Sequence, residues 1–172
     1  ISELVHCLTE IVRTTCNSQI FLMASAALAN ITFLNTETLV KYDTLSILLN
    51  ASKQRQDFDD LLLKDQIITL LANVSQKNPL EVVSSGGLIF LLSAFHSENV
   101  HSDQNSQLAV VRIQQKIAVA LARLGAHKST AKIIYKLNGV AKLVQLCKEP
   151  RERSYSDTVL LASIAALKRI SQ

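Results

Sequence analysis

Asparagine and arginine recur at one position of a repeated apolar segment. SAALANITF around Asn30 matches ITLLANVSQ around Asn73, and the later segments ALARLGA and AALKRIS carry Arg123 and Arg169 at the same position. An asparagine amide both donates and accepts, so it can bond the two polar groups of an extended peptide backbone. A guanidinium offers paired hydrogen bonds to a carboxylate. A row of such side chains could therefore hold a peptide, with amides on its backbone and cations on its acidic residues.

No group of residues in the sequence indicates catalysis. The histidines form no i, i+4 ligand pair with one another or with a cysteine; they are His6, His96, His101 and His127. The segment Ser84–Gly87 precedes a predicted helix and could bind an anion there, but it aligns with the junction turns of a repeat. We therefore predict a chain that is not an enzyme and that has no metal and no cofactor.

Composition and charge narrow the class of protein. Hydrophobic residues make up 48%, with only 4 Gly and 2 Pro, which favours a folded chain of helices. No apolar run reaches a transmembrane length, and the 3 cysteines lack CxxC spacing, which suits a reducing, cytoplasmic location. Residues 1–86 hold 6 Lys/Arg and 9 Asp/Glu, a net −3, whereas residues 87–172 hold 12 and 5, a net +7. The basic half suits an acidic partner or a solvated face. Aromatics are 5% and are not interleaved with cations, so we predict no nucleic-acid binding.

The elements that must position the recurring side chains are predicted to be repeated helices. The Asn/Arg position recurs at spacings of 43, 50 and 46 residues, and a second landmark recurs at Thr44, Gly87 and Gly139. These landmarks predict units of about 1–35, 36–78, 79–128 and 129–172, with a polar loop inserted at about 97–106.

Each unit ends in a long helix with apolar residues at helical spacing. We expect that core to include Leu108 and Leu121 in the third unit and Ile164 in the fourth, with Gly125 as a C-terminal stop and Ser156–Asp157 as an N-terminal cap.

This organisation resembles the armadillo-repeat family. AALANIT and LLANVSQ are similar to the third helix of its repeat, and VVSSGGLIFLL and IIYKLNGVAKLV to its first-to-second-helix junction. The resemblance implies an all-α, right-handed superhelical solenoid of about four armadillo-type repeats, the first incomplete. The HEAT repeat is a near alternative, but it has a proline in its first helix, and Pro150 is predicted to lie in a loop.

In an armadillo stack the third helices line a concave groove, which implies a role for the recurring residues. Residues from earlier turns of the same faces join them, so the predicted peptide-binding groove comprises Asn30, Gln66, Thr69, Asn73, Arg112, Lys116, Arg123 and Arg169. Its ligand would be an extended peptide segment with acidic residues at the basic end. The alternative is that Asn30 and Asn73 bond the neighbouring helix inside the fold.

A narrower resemblance covers roughly residues 113–171. QQKIAVALARL, followed by LVQLCKEPRERSYSDTVLLASIAALKRI, is similar to the last repeats of the Inscuteable family. That resemblance implies an adaptor in asymmetric cell division that links a Bazooka-type PDZ polarity scaffold to a Pins/LGN-type TPR adaptor of spindle orientation, recruited to the cell cortex. The family's known short contact motifs lie before and after the repeats. Two alternatives remain: a transport-receptor-like module for cargo peptides, for which a Trp ladder is missing, and an enzyme's helical regulatory domain.

Overall fold

The computed structural model describes residues 1–57, 60–95 and 103–172, and these residues divide into two compact units, Ile1–Gly87 and Leu88–Gln172. The described residues contain helices and no strand. The helices of the first unit are α1 (Ser2–Thr14), α2 (Ser18–Leu34), α3 (Glu37–Lys41), α4 (Thr44–Lys53), α5 (Leu61–Lys77) and α6 (Pro79–Ser84). Helix α7 (Gly87–Ala94) begins at the last residue of that unit, and α8 (Gln104–Gly125), α9 (Lys128–Lys136), α10 (Gly139–Lys148), a 3₁₀ turn (Pro150–Arg153) and α11 (Asp157–Ile170) follow.

Within each unit the long helices pack on one another. Helix α2 packs on α5 and α1 in the first unit, and α8 packs on α11 in the second, with α10 against the same α11. Their shared surface is apolar and closed to solvent: Leu28 and Leu71 of the first pair and Leu121 of the second are each 0% exposed. Burial of these side chains supplies the main stabilisation, since each fully buried leucine contributes roughly 1.5–3 kcal/mol.

Three short turns share one backbone conformation. Asp43, Gly86 and Asn138 have φ of 51°, 85° and 60°, and each immediately precedes the start of α4, α7 or α10. Glycine, asparagine and aspartate tolerate this left-handed region better than other residues do, so the chain reverses there at small cost. The second landmark of the sequence is therefore confirmed as a set of helix starts, and Ser84–Gly87 is confirmed as a junction turn.

Two expectations about the core are wrong. Leu108 and Ile164 were expected to be buried, but they are 59% and 50% exposed. The side chains that face inward on α11 are instead Val159, Ser163 and Ala166. The apolar side of a helix is broad, and the helix that packs against α11 determines which of its apolar residues are buried.

Gly125 ends α8, as predicted, and it also has a packing role. It is the last residue of the helix and Ala126 is the C-cap, but Gly125 does not adopt the left-handed conformation of a typical glycine stop. A Cβ at this position would collide with the Ile170 side chain of α11. The absence of a side chain therefore lets the C-terminal ends of α8 and α11 approach closely.

The capping predictions and the loop prediction have mixed outcomes. Ser156 caps α11, since its Oγ accepts from the Val159 backbone N–H at 3.3 Å, as predicted.

Of the predicted loop at 97–106, residues 97–102 lie outside the described residues. The end of the predicted loop is wrong, because Asp103 caps α8 and the helix already includes Gln104. Short helices begin at Glu37, Pro79 and Lys128, close to the predicted unit starts, but the division into four repeats stays a prediction.

The turn before α11 is attached through buried polar contacts. Arg153, 8% exposed, donates from Nη1 to the Leu146 and Cys147 carbonyls at 2.9 and 3.4 Å. Gln114 of α8 donates from Nε2 to the Glu152 carbonyl at 2.7 Å. These bonds hold the PRER turn against α10 and α8, and so they set where α11 starts.

Candidate peptide-binding site

The amide end of the predicted groove lies on α2 and α5. Asn73 Nδ2 donates to Thr32 Oγ1 at 3.0 Å and lies 3.4 Å from the Ala29 carbonyl, so this amide crosses from α5 to α2. The side-chain nitrogen of Asn73 therefore bonds the neighbouring helix inside the fold, which was the alternative to ligand binding. Asn30 lies on α2 beside these acceptors in the chain, and its side chain is exposed.

Gln66 and Thr69 lie on the same side of α5 as Asn73. At 100° per residue, the three positions fall within roughly 60° of one another around the helix axis. All three are half-buried, and the Thr69 hydroxyl donates to the Asp65 carbonyl at 2.7 Å. We call these three residues, together with Asn30, the amide face. Its hydrogen-bonding groups are partly engaged within the fold.

The basic end is arranged on α8 and α11. Arg112, Lys116 and Arg123 fall within roughly 40° of one another around the α8 axis, so they share one side of the helix. Arg112 is exposed, and Lys116 and Arg123 are half-buried. Because Gly125 meets Ile170, the C-terminal ends of α8 and α11 lie side by side, and Arg169 is the residue before Ile170. We call these four cationic residues the basic face.

The structure also shows cations that the sequence reasoning missed. Arg169 lines a cavity of about 640 Å³ together with lysines of α9. The lining consists of Gly125, Ala126, Lys128, Ala131, Lys132, Tyr135, Lys136, Arg169, Ile170 and Gln172. Lys128, Lys132 and Lys136 recur at i, i+4 and i+8, a spacing that is visible in KSTAKIIYK and could have indicated a basic helix face. We call this space the lysine cavity.

The described residues contain no cluster of three or more His, Cys, Asp or Glu side chains that could hold a metal ion. Burial raises the pKa of the Cys147 thiol, with the Arg153 charge acting weakly in the opposite direction. Within the part of the chain that the structure describes, no helix combines the length and the apolar character that a membrane crossing needs.

Comparison with solved structures identifies the fold. The chain is similar to a designed armadillo repeat protein with a TM-score of 0.72 at 15% identity, over 99% of this chain and 64% of the designed one. An engineered protein matches with a TM-score of 0.55 at 20% identity, over 97% and 79% of the two chains. The prediction of an all-α armadillo-type fold is confirmed.

Sequence comparison then identifies the family. The model described as "Protein inscuteable C-terminal" matches residues 1–172. Protein inscuteable homolog of Homo sapiens is 37% identical and that of Mus musculus 36% identical over 175 residues, each match covering 98% of this chain. The chain therefore belongs to the inscuteable C-terminal family, as the resemblance indicated. It spans 30% of the length of these relatives.

Proposed function

We propose that the basic face of α8 and α11 binds an extended, partly acidic segment of a partner protein. The observation that carries this proposal is the alignment of Arg112, Lys116 and Arg123 on one side of α8, with the end of α11 and Arg169 placed beside it. Charges repeated along one side of a helix present a linear array, which suits a chain rather than a compact ligand. Guanidinium groups bind carboxylates through paired hydrogen bonds.

The amide face would contribute sequence-independent contacts to a peptide backbone. Asn30 is its exposed member, and its amide can donate and accept. Asn73 already uses its nitrogen toward Thr32 and Ala29, so its carbonyl oxygen is the atom that we expect a peptide N–H to meet. We therefore assign the larger ligand contribution on this face to Asn30.

For the longer protein we propose the role that the family implies. It would be a non-catalytic adaptor of asymmetric cell division, recruited from the cytoplasm to the cell cortex, that links a Bazooka-type PDZ scaffold to a Pins/LGN-type TPR adaptor. The family match supports this role over a transport-receptor-like module. On this proposal the short contact motifs lie outside the chain, and the armadillo-type domain supplies a further protein contact.

A charge-reversal experiment tests the basic face. Arg112→Glu combined with Arg123→Glu should reduce capture of partner proteins from a cell extract, measured by quantitative mass spectrometry. The loss should be larger at low salt, because exposed ion pairs are screened over about 8–10 Å at physiological ionic strength. Lys77→Glu combined with Lys148→Glu is the control, since it makes the same change of charge at two exposed positions outside the basic face.

Partner proteins whose capture falls with the basic-face variant are then truncated to their shortest binding fragments. Fragments rich in Asp and Glu would support the proposal. The proposal fails if the basic-face variant and the control variant capture every partner equally, or if the dependent fragments carry no excess of acidic residues.

A further inference from the structure

The lysines of α9 form a regularly spaced array. Residues four apart on a helix are separated by about 6 Å along its axis, so Lys128, Lys132 and Lys136 span about 12 Å. Arg169 of α11 lines the same cavity from a second helix. Four cations from two helices therefore surround one space of about 640 Å³.

Part of the lining of the lysine cavity is small and apolar. Gly125, Ala126, Ala131 and Ile170 line it, and Tyr135, 72% exposed, is also part of the lining. Apolar walls lower the local dielectric constant, so a charge pair at the cavity is stronger than one on an open surface. Such walls also accommodate apolar side chains that alternate with charged ones.

The described lining of this cavity carries an excess of positively charged side chains. None of the described lining residues has an acidic side chain. Over residues 1–57, 60–95 and 103–172, none of Lys128, Lys132, Lys136 and Arg169 forms an ion pair. Four like charges in one place repel one another, and an anionic ligand would relieve that repulsion.

We propose that the lysine cavity is a second docking site, separate from the row on α8, and that it takes an extended peptide with acidic residues at alternate positions. In a strand, residues two apart point to the same side and lie about 6.6 Å apart. This distance is close to the 6 Å spacing of the α9 lysines, so three alternate acids can each meet one lysine. The residues between them face away from the lysines. In a contiguous block of three acids, neighbouring side chains point to opposite sides, so the three cannot all face the lysines.

Two synthetic peptides of identical composition test this register. One carries three Glu at alternate positions among Ala and Ser, and the other carries the same Glu as one block. We expect the alternating peptide to bind the 172-residue chain about threefold or more tightly than the block peptide, measured by fluorescence anisotropy. Equal binding of both peptides, or binding of neither, would overturn the proposal.

Paired variants locate the binding and separate it from the part of the basic face on α8; Arg169 belongs to both surfaces and is therefore left unchanged. Lys132→Glu with Lys136→Glu should weaken the alternating peptide about tenfold or more, whereas Arg112→Glu with Arg123→Glu should change it less than about twofold. The opposite ranking would refute the cavity while leaving the basic face intact. Circular dichroism of both variants should match that of the parent chain. The lysines of α9 are exposed, so their replacement should not unfold the chain.

Two other polyanions are measured in parallel. Vesicles with phosphatidylserine and a short single-stranded DNA should bind more weakly than the peptide and should not displace it at equal charge concentration. Displacement of the peptide by either of them would overturn the assignment of a protein ligand.

Discussion

Replacement of Asn73 by alanine separates the structural role of the repeated asparagine from its ligand-binding role. In the folded chain Asn73 Nδ2 donates to Thr32 Oγ1 at 3.0 Å, and the Ala29 carbonyl at 3.4 Å is close to the limit for a hydrogen bond. We count the first as one neutral bond, worth about 0.5–1.5 kcal/mol net. The buried Thr32 hydroxyl keeps its own bond to the Ala29 carbonyl, so the variant leaves no buried donor unpaired.

Asn30→Ala is the matched control for this change. Both asparagines lie inside long helices, where alanine is the better helix former by up to about 0.7 kcal/mol, so each replacement gains that amount. The exposed Asn30 loses no contact across the helix pair. Asn73→Ala should therefore be less stable than Asn30→Ala by about 1 kcal/mol, whatever the absolute values are.

Urea unfolding followed by far-ultraviolet circular dichroism measures the difference, with hydrogen exchange of α5 amides as a check in case the units unfold separately. A double-mutant cycle with Thr32→Val should give a coupling of about 0.5–1.5 kcal/mol. If the two asparagine variants unfold at the same urea concentration and the cycle shows no coupling, the contact between α5 and α2 does not stabilise the fold. The binding assay should rank the residues in the reverse order, with Asn30→Ala weakening capture more.

Three further predictions concern packing and pH. Leu71→Ala and Leu121→Ala should each lower the unfolding free energy by about 2–5 kcal/mol in denaturant titrations, because both side chains are fully buried; losses below about half a kcal/mol would contradict the packing of the long helices. Gly125→Ala should cost about 1–3 kcal/mol through its collision with Ile170, and shortening Ile170 to alanine in the same chain should recover part of that loss. A hydrogen bond with Ser18 and the ion pair with Arg55 lower the pKa of Asp57. Its contribution to stability is therefore present above about pH 4 and is lost as the pH falls further. Asp57→Asn should flatten the acid side of the profile of unfolding free energy against pH, and an unchanged profile would show that Asp57 makes no net contribution.

Local signals of the sequence were sufficient for the order of the elements. The positions before α4, α7 and α10 carry Asp, Gly and Asn, which tolerate the left-handed conformation that a reversal between helices needs. The hydroxyl of Ser156 caps α11 by accepting a hydrogen bond from Val159, only three residues further along the chain. These properties depend on a few neighbouring residues, so the starts of α4, α7, α10 and α11 could be predicted without knowledge of the fold.

The charge imbalance and the recurrence of Asn and Arg were also readable from the sequence, but the partners of these side chains were not. Whether Asn73 faces a ligand or Thr32 depends on how α5 packs against α2, 41 residues apart in the chain. The same holds for Ile164, whose exposure depends on which side of α11 is covered, and for Gly125, which is needed only because Ile170 approaches it. Lys132 and Arg169 come together for the same reason, because the packing of α9, α8 and α11 encloses the cavity that they line. Helical periodicity specifies the side of a helix on which a residue lies, but only tertiary packing determines what that side meets.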